Sequence, residues 1–199
     1  NIDIIINCAA YTDVNKAELK REITKKINDE AVGIIASLCK KLELQLIHIS
    51  SDYVFDGTKK FPYFESDIAN PLNFYGFSKF NGENKILKCN LKNSLIIRTS
   101  VLYYNESNSF VNKIIDKIIK KENIAAVIDQ VSSPTYASDL AKAIFTIIPL
   151  INNNKTEIYH FANKGQCSRY DLALKINKIL NGSSMIKPIK TKKEIAVRP

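Results

Sequence analysis

Short apolar runs alternate with longer stretches of helical periodicity along this chain. Residues 3–8, Asp-Ile-Ile-Ile-Asn-Cys, carry β-branched side chains without polar alternation, which predicts a strand buried on both faces. From Asp13 to about Leu42, the residues Ile23, Ile27, Val32, Ile35 and Leu38 recur at helical spacing, which predicts one helix with a break near Glu18–Arg21. Gln45–Ser50 reads as a second buried strand. A loop from Ser51 to about Asn73 is punctuated by Asp56-Gly57, Pro62 and Pro71. Phe74 to about Cys89 reads as a helix, Ser94–Thr99 as a strand, Asn108–Lys121 as a helix and Ala125–Asp129 as a strand. Ser132–Thr135 reads as a loop, with Thr135 capping a helix that reaches about Leu150. Ile158–Ala162 is a further strand. Ser168-Arg169-Tyr170-Asp171 then opens a last helix as a capping box, closed at Asn181-Gly182. Strands separated by helices predict a parallel α/β sheet.

The 199 residues suit one domain or slightly more, with enough chain to bury a sizeable core. Hydrophobic content of 45% and charged content of 25% are ordinary for a globular protein. No apolar run approaches the roughly 20 residues of a membrane span. The N-terminal Asn-Ile-Asp-Ile-Ile-Ile-Asn carries no basic leader, so a cytoplasmic location is expected. The net charge of +9 comes from scattered lysines, without an arginine stripe or interleaved aromatics, which argues against nucleic acid. Cys8, Cys39, Cys89 and Cys167 form no CxxC pair and stand far from His48 and His160, so zinc is not expected. They read as reduced, mostly buried thiols. His48 falls within an apolar strand and reads as a satisfied core histidine.

Tyr75-Gly76-Phe77-Ser78-Lys79 is the first candidate for chemistry, with Ser50-Ser51-Asp52-Tyr53 upstream of it. Tyrosine and lysine four apart share a helix face. A free phenol titrates near about 10, too high for efficient proton exchange at neutral pH. A neighbouring ammonium would lower it, and the Ser51 hydroxyl could hold the oxygen that the tyrosine protonates. A solvated helix face is the competing reading of an isolated YxxxK.

The wider pattern settles more. Asn-Cys-Ala-Ala-Tyr-Thr at 7–12 is followed by Lys16-Ala17-Glu18, and Ser50-Ser51-Asp52-Tyr53-Val54-Phe55-Asp56-Gly57 by Pro71-Leu72-Asn73-Phe74-Tyr75-Gly76-Phe77-Ser78-Lys79. Then come Arg98-Thr99-Ser100, Asp129-Gln130-Val131-Ser132-Ser133-Pro134-Thr135 and Arg198-Pro199. In this order and nearly end to end, the chain resembles the dTDP-4-dehydrorhamnose reductases of the extended short-chain dehydrogenase/reductase family. The resemblance implies a partial Rossmann-like, doubly wound parallel sheet (residues 1–130). A small α+β substrate-binding portion (131–199) would be interleaved with it. It implies Tyr75 as proton donor, Lys79 as its electrostatic partner and ribose contact, and Ser51 as holder of the sugar carbonyl. Ala10, Tyr11 and Thr12 would line NADPH or NADH. Ser51, Asp52 and Val101 would meet a dTDP-sugar.

Three departures accompany the resemblance. None of the six glycines forms the GxGxxG turn that seats a pyrophosphate, so the chain reads as an N-terminally truncated member. Val101 stands where the family usually has tryptophan, and Ser132 where it usually has glycine. Weak binding of the cofactor by the isolated chain is therefore expected, as are a partner chain supplying the missing half or a homo-oligomer. A catalytically inactive or regulatory remnant and a nucleotide-sugar epimerase are the alternative readings.

Overall fold

The structure, a computed structural model, describes residues 2–105, 109–192 and 195–199. The first strand, β1, spans Ile4–Asn7. Asp13 then caps α1 (Val14–Leu19), its carboxylate accepting the Lys16 N–H at 3.0 Å. The expected break falls at Lys20. Beyond it, α2 (Arg21–Lys25) passes through a π-helical turn at Lys26–Glu30 into α3 (Ala31–Lys41), so the predicted single helix is three pieces and a bulge. β2 (Gln45–Ser51) ends in a 3-10 turn at Asp52–Val54. Asn73 caps α4 (Phe74–Cys89) by accepting the Gly76 N–H at 2.8 Å.

β3 (Ser94–Thr99) and the short β4 (Leu102–Tyr103) follow, then α5 (Phe110–Ile119) capped by Ser109. The expected start of that helix, Asn108, lies outside the described residues. β5 (Ile124–Val127), β6 (Val131–Ser132) and β7 (Thr135–Tyr136) lead into α6 (Ala137–Ile147). β8 (Thr156–Phe161), β9 (Cys167–Ser168), α7 (Arg169–Ile179) and β10 (Ile186–Ile189) complete the order. The capping box forms: Ser168 Oγ accepts the Asp171 N–H at 3.0 Å, and the Asp171 carboxylate accepts the Ser168 N–H at 3.1 Å.

Thr135 does not cap α6. Its backbone pairs in β7 and its hydroxyl donates to the Ser133 carbonyl at 3.0 Å. The short strands β4, β6, β7 and β9 were not foreseen, because two residues carry no readable periodicity.

The chain divides into two compact units whose segments alternate in sequence. The first comprises 1–99, 147–161 and 194–199, the second 100–146 and 162–193, so the expected boundary at 130/131 falls inside the second. In the first unit a parallel sheet runs in the order β1-β2-β3-β8. Val32, Ala36 and Cys39 of α3, Ile86 of α4, Leu46 of β2 and Ile96 of β3 form its buried cluster. Gly76 and Gly82 let α4 approach closely. A Cβ on the first would strike the Tyr53 carbonyl, and one on the second the Asn28 carbonyl in the π-turn. In the second unit, Val111, Ile114 and Ile118 of α5 pack with Ile124 of β5 and Ala173 and Ile176 of α7.

β1 is not buried on both faces. Ile4 and Ile5 are half-buried and Ile6 is 38% exposed, because β1 is the sheet's edge with only β2 beside it. Asp3 precedes this edge strand, whose own residues Ile4–Asn7 include no charge and no proline of the kind that usually protects such an edge. A polypeptide of these 199 residues is therefore expected to self-associate or precipitate despite its +9 charge. Size-exclusion chromatography with light scattering checks this: a stable folded monomer at tens of micromolar would show that the edge is tolerated. Of the cysteines, only Cys39 is buried; Cys8 is exposed, and Cys89 and Cys167 lie between.

Candidate functional site

The carboxyl end of β2 and the first turns of α4 converge on one another. Ser51 closes β2, its hydroxyl donating to Asp52 Oδ1 at 3.1 Å and accepting the Tyr53 N–H at 3.2 Å. The buried Tyr75 ring meets Tyr53 edge-on, with centroids 5.5 Å apart. Burial is the main influence on the Tyr75 phenol. A hydrogen bond from Ser51 opposes it, the charges of Asp52 and Tyr53 add to it, and the pKa is pushed up to about 12. Ser51, Asp52 and Tyr75 are thus brought together as the sequence suggested. A phenol so raised stays protonated at neutral pH, the form a proton donor needs.

Lys79 shares Tyr75's buried helix face, but its amine does not act on the phenol as the spacing had suggested. Its two hydrogen bonds go to β2: to the Ile49 carbonyl at 2.7 Å and to His48 Nε2 at 3.1 Å. Burial draws Lys79 down to about 8, with Glu83 and Cys8 working against that shift. The physical reason for the difference is reach. A long side chain in the second helical turn reaches the strand and finds its partners there.

Ala10 and Tyr11 are half-buried and Thr12 is exposed, in the loop beyond β1. Asn28, fully buried in the π-turn, holds Tyr11 by both backbone groups: Tyr11 N–H donates to Oδ1 at 2.8 Å and Nδ2 donates to the Tyr11 carbonyl at 3.0 Å. Nδ2 also donates to Ser78 Oγ at 3.1 Å, and Ser78 donates to the Tyr75 carbonyl at 2.7 Å. One amide thereby ties the Ala10–Thr12 loop to α4. Sequence reading missed Asn28. The signal was a polar residue spaced by four from buried Thr24 and Val32.

Glu83 and Arg98 form a buried two-pronged pair between α4 and β3. Arg98 Nε donates to Glu83 Oε1 at 3.0 Å and Nη2 to Oε2 at 2.7 Å. The guanidinium also lies 5.0 Å from the centre of the Phe55 ring. Ser50 Oγ and Thr99 Oγ1, at the carboxyl ends of β2 and β3, are buried and make no hydrogen bond with described residues. In open parallel sheets, ligands bind outside the carboxyl ends of the strands.

Val101 belongs to the second unit and adopts φ +42, a left-handed conformation rare for a β-branched residue. Its carbonyl accepts the Thr135 N–H at 3.1 Å. Ser132 needs no glycine-like freedom: it pairs in antiparallel β6 opposite Cys167, and its φ is not positive.

The family model described as RmlD substrate binding domain matches residues 1–199. A dTDP-4-dehydrorhamnose reductase of Aggregatibacter actinomycetemcomitans is 35% identical over 198 residues, covering 95% of this chain and 67% of the relative. A dTDP-4-keto-6-deoxy-D-glucose reductase of Streptomyces niveus is 34% identical over 169 residues, covering 85% of this chain and 58% of the relative. Among solved structures, a dTDP-4-dehydrorhamnose reductase from Bacillus anthracis, described in complex with NADP, superposes with a TM-score of 0.93 at 36% identity. It covers 98% of this chain and 69% of that one. The chain thus spans 58% to 67% of the length of these curated relatives.

Proposed function

The chain belongs to the RmlD substrate binding domain family, and from that premise we propose that it carries the proton-donating, sugar-binding part of an NAD(P)H-dependent reductase. The substrate of this reading is a dTDP-linked 4-keto-6-deoxyhexose, dTDP-4-dehydro-L-rhamnose, with dTDP-L-rhamnose as product. The observation that carries it is the meeting of Ser51, Asp52 and a buried Tyr75 at the carboxyl end of β2, where burial pushes the phenol's pKa up to about 12. When bound, the nicotinamide would supply a hydride to the sugar's C4. Tyr75 would give its proton to the developing alkoxide, and the Ser51 hydroxyl would hydrogen-bond that oxygen. Ser50 and Thr99, buried without partners nearby, offer further hydroxyls to a ligand at the strand ends. The named relatives support this substrate class, and the Streptomyces niveus relative favours the D-glucose-configured ketone as a second reading.

The residues present fit the nicotinamide-ribose end of the cofactor. Asn28 holds the Ala10–Thr12 loop against the helix that bears Tyr75 and Lys79. No glycine-rich phosphate turn occurs among the 199 residues. Calorimetric titration of this polypeptide with NADPH or NADH is therefore expected to show very weak binding. The same chain joined to a glycine-rich strand–turn–helix before residue 1 should bind at micromolar concentration. Micromolar affinity without that segment would contradict the assignment of its phosphate seat.

A further inference from the structure

The short helix α1 carries no part of the proposed chemistry, yet it holds two neighbours of Tyr75. The first N–H groups of α4 have no preceding turn to accept them. Asn73 accepts that of Gly76 at 2.8 Å. The Phe74 N–H, one residue before the proton donor, goes to α1: it donates to Glu18 Oε1 at 2.6 Å. The other Glu18 oxygen accepts Arg21 Nη2 at 2.7 Å, and the Arg21 guanidinium lies 5.0 Å from the centre of the Phe74 ring. With 14% of its surface exposed against 64% for Arg21, the Glu18 side chain is the enclosed member of this pair. Its charge strengthens the bond to the N–H and suits the positive end of the helix. The second neighbour is Tyr53. Asn15 Oδ1 accepts Arg198 Nη2 at 3.0 Å, Arg198 Nη1 donates to the Tyr53 hydroxyl at 3.2 Å, and the Tyr53 ring meets Tyr75 edge-on.

We propose that Glu18 is a positioning residue for Tyr75: its carboxylate fixes the first turn of α4, so that the phenol stays within reach of Ser51. The need for such a hold follows from how the site is built. Ser51 ends β2, which is paired with β3 up to that residue, and Asp52 opens the turn that follows. Tyr75 stands instead in the first turn of a helix, where backbone N–H groups lack helical partners and ends fray. Gly76 in the same turn sits so close to the Tyr53 carbonyl that a Cβ would strike it. Releasing the turn from Glu18 moves the phenol relative to Ser51, while Ile86 keeps the body of α4 packed in the sheet's buried cluster.

The motif Lys16-Ala17-Glu18 follows the Ala10–Thr12 loop in the chain, so α1 joins the segment assigned to the cofactor to the helix that bears the proton donor. Its three residues divide the work. Ala17 is fully buried and seats α1, Lys16 pairs with Asp13 at the surface, and Glu18 makes the bond to α4. Glutamine at position 18 has the same reach and keeps a carbonyl oxygen for the Phe74 N–H. Alanine leaves that N–H without its acceptor. The two substitutions therefore separate the bond itself from the charge on it.

This deepens the proposed function and rests on Tyr75 as the proton donor, so one arm of the test needs no turnover. Hydrogen exchange of the 199-residue chain is read by mass spectrometry. In Glu18→Ala, Phe74–Gly76 should exchange about tenfold faster or more, the weight of one hydrogen bond to a charged group. Residues 80–88 should exchange as before, and Glu18→Gln should stay within about threefold of the unaltered chain. The second arm uses the chain joined to a glycine-rich strand–turn–helix. There Glu18→Ala should lower kcat for the keto-sugar by about 10–100-fold, as a small misplacement does, with cofactor affinity kept. Glu18→Gln should restore most of that loss. Unchanged exchange at Phe74–Gly76 in Glu18→Ala would overturn the proposal. So would exchange that quickens equally over 80–88, or a loosened first turn with kcat unaltered. A fusion inactive in every form would overturn the reductase reading alone, and exchange would still decide whether Glu18 holds the turn.

Discussion

Tyr75→Phe, made in a polypeptide that also supplies a dinucleotide seat, is expected to lower kcat by about 10²–10⁴-fold, the usual weight of one general acid. Cofactor affinity should hardly change, since the substitution removes a single hydroxyl and keeps the ring. Tyr75 is buried and packs edge-on against Tyr53, so phenylalanine preserves the packing while deleting the proton. Steady-state kinetics together with a cofactor titration separate the two effects. Unaltered turnover would remove Tyr75 from the chemistry.

Glu83→Ala should destabilise the fold by about 3–5 kcal/mol, the cost of leaving one partner of a buried ion pair without the other. Arg98 is enclosed between α4, β3 and the Phe55 ring, and two of its guanidinium nitrogens are spent on Glu83. Removing the carboxylate strands that charge and frees α4 from β3. The same helix carries Tyr75 and Lys79, so disorder of the site should accompany the loss. Urea unfolding followed by circular dichroism measures it. A loss below about 1 kcal/mol, the range of exposed pairs, would mean that solvent reaches Arg98.

The elements whose pattern runs several turns or residues were legible in the sequence. β2, α4 and β3 lie within a residue of their expected bounds, because Gln45–Ser50, Phe74–Cys89 and Ser94–Thr99 carry their periodicity and caps locally. Where the outcome depended on a neighbour, reading along the chain fell short. The burial of β1 depends on what lies beside it, and Ile6 is exposed for want of a second strand. The π-turn at Lys26–Glu30 leaves no compositional trace, yet it aims Asn28 at Tyr11 and Ser78.

The site divides in the same way. That Ser51, Asp52 and Tyr75 come together was legible because they sit in contiguous motifs. The partners of Lys79 were not, since His48 and the Ile49 carbonyl meet it from β2, about thirty residues away in sequence. His48 was read as a satisfied core histidine, and both ring nitrogens are indeed bonded; what the sequence could not give was the identity of its partners.

The most direct test joins a glycine-rich strand–turn–helix to residue 1 and follows NADPH with dTDP-4-dehydro-L-rhamnose, identifying the sugar product by NMR. The account predicts NADPH consumption that depends on the keto-sugar, with one dTDP-L-rhamnose formed per NADPH oxidised. A folded, NADPH-binding fusion that leaves the keto-sugar unreduced would contradict it.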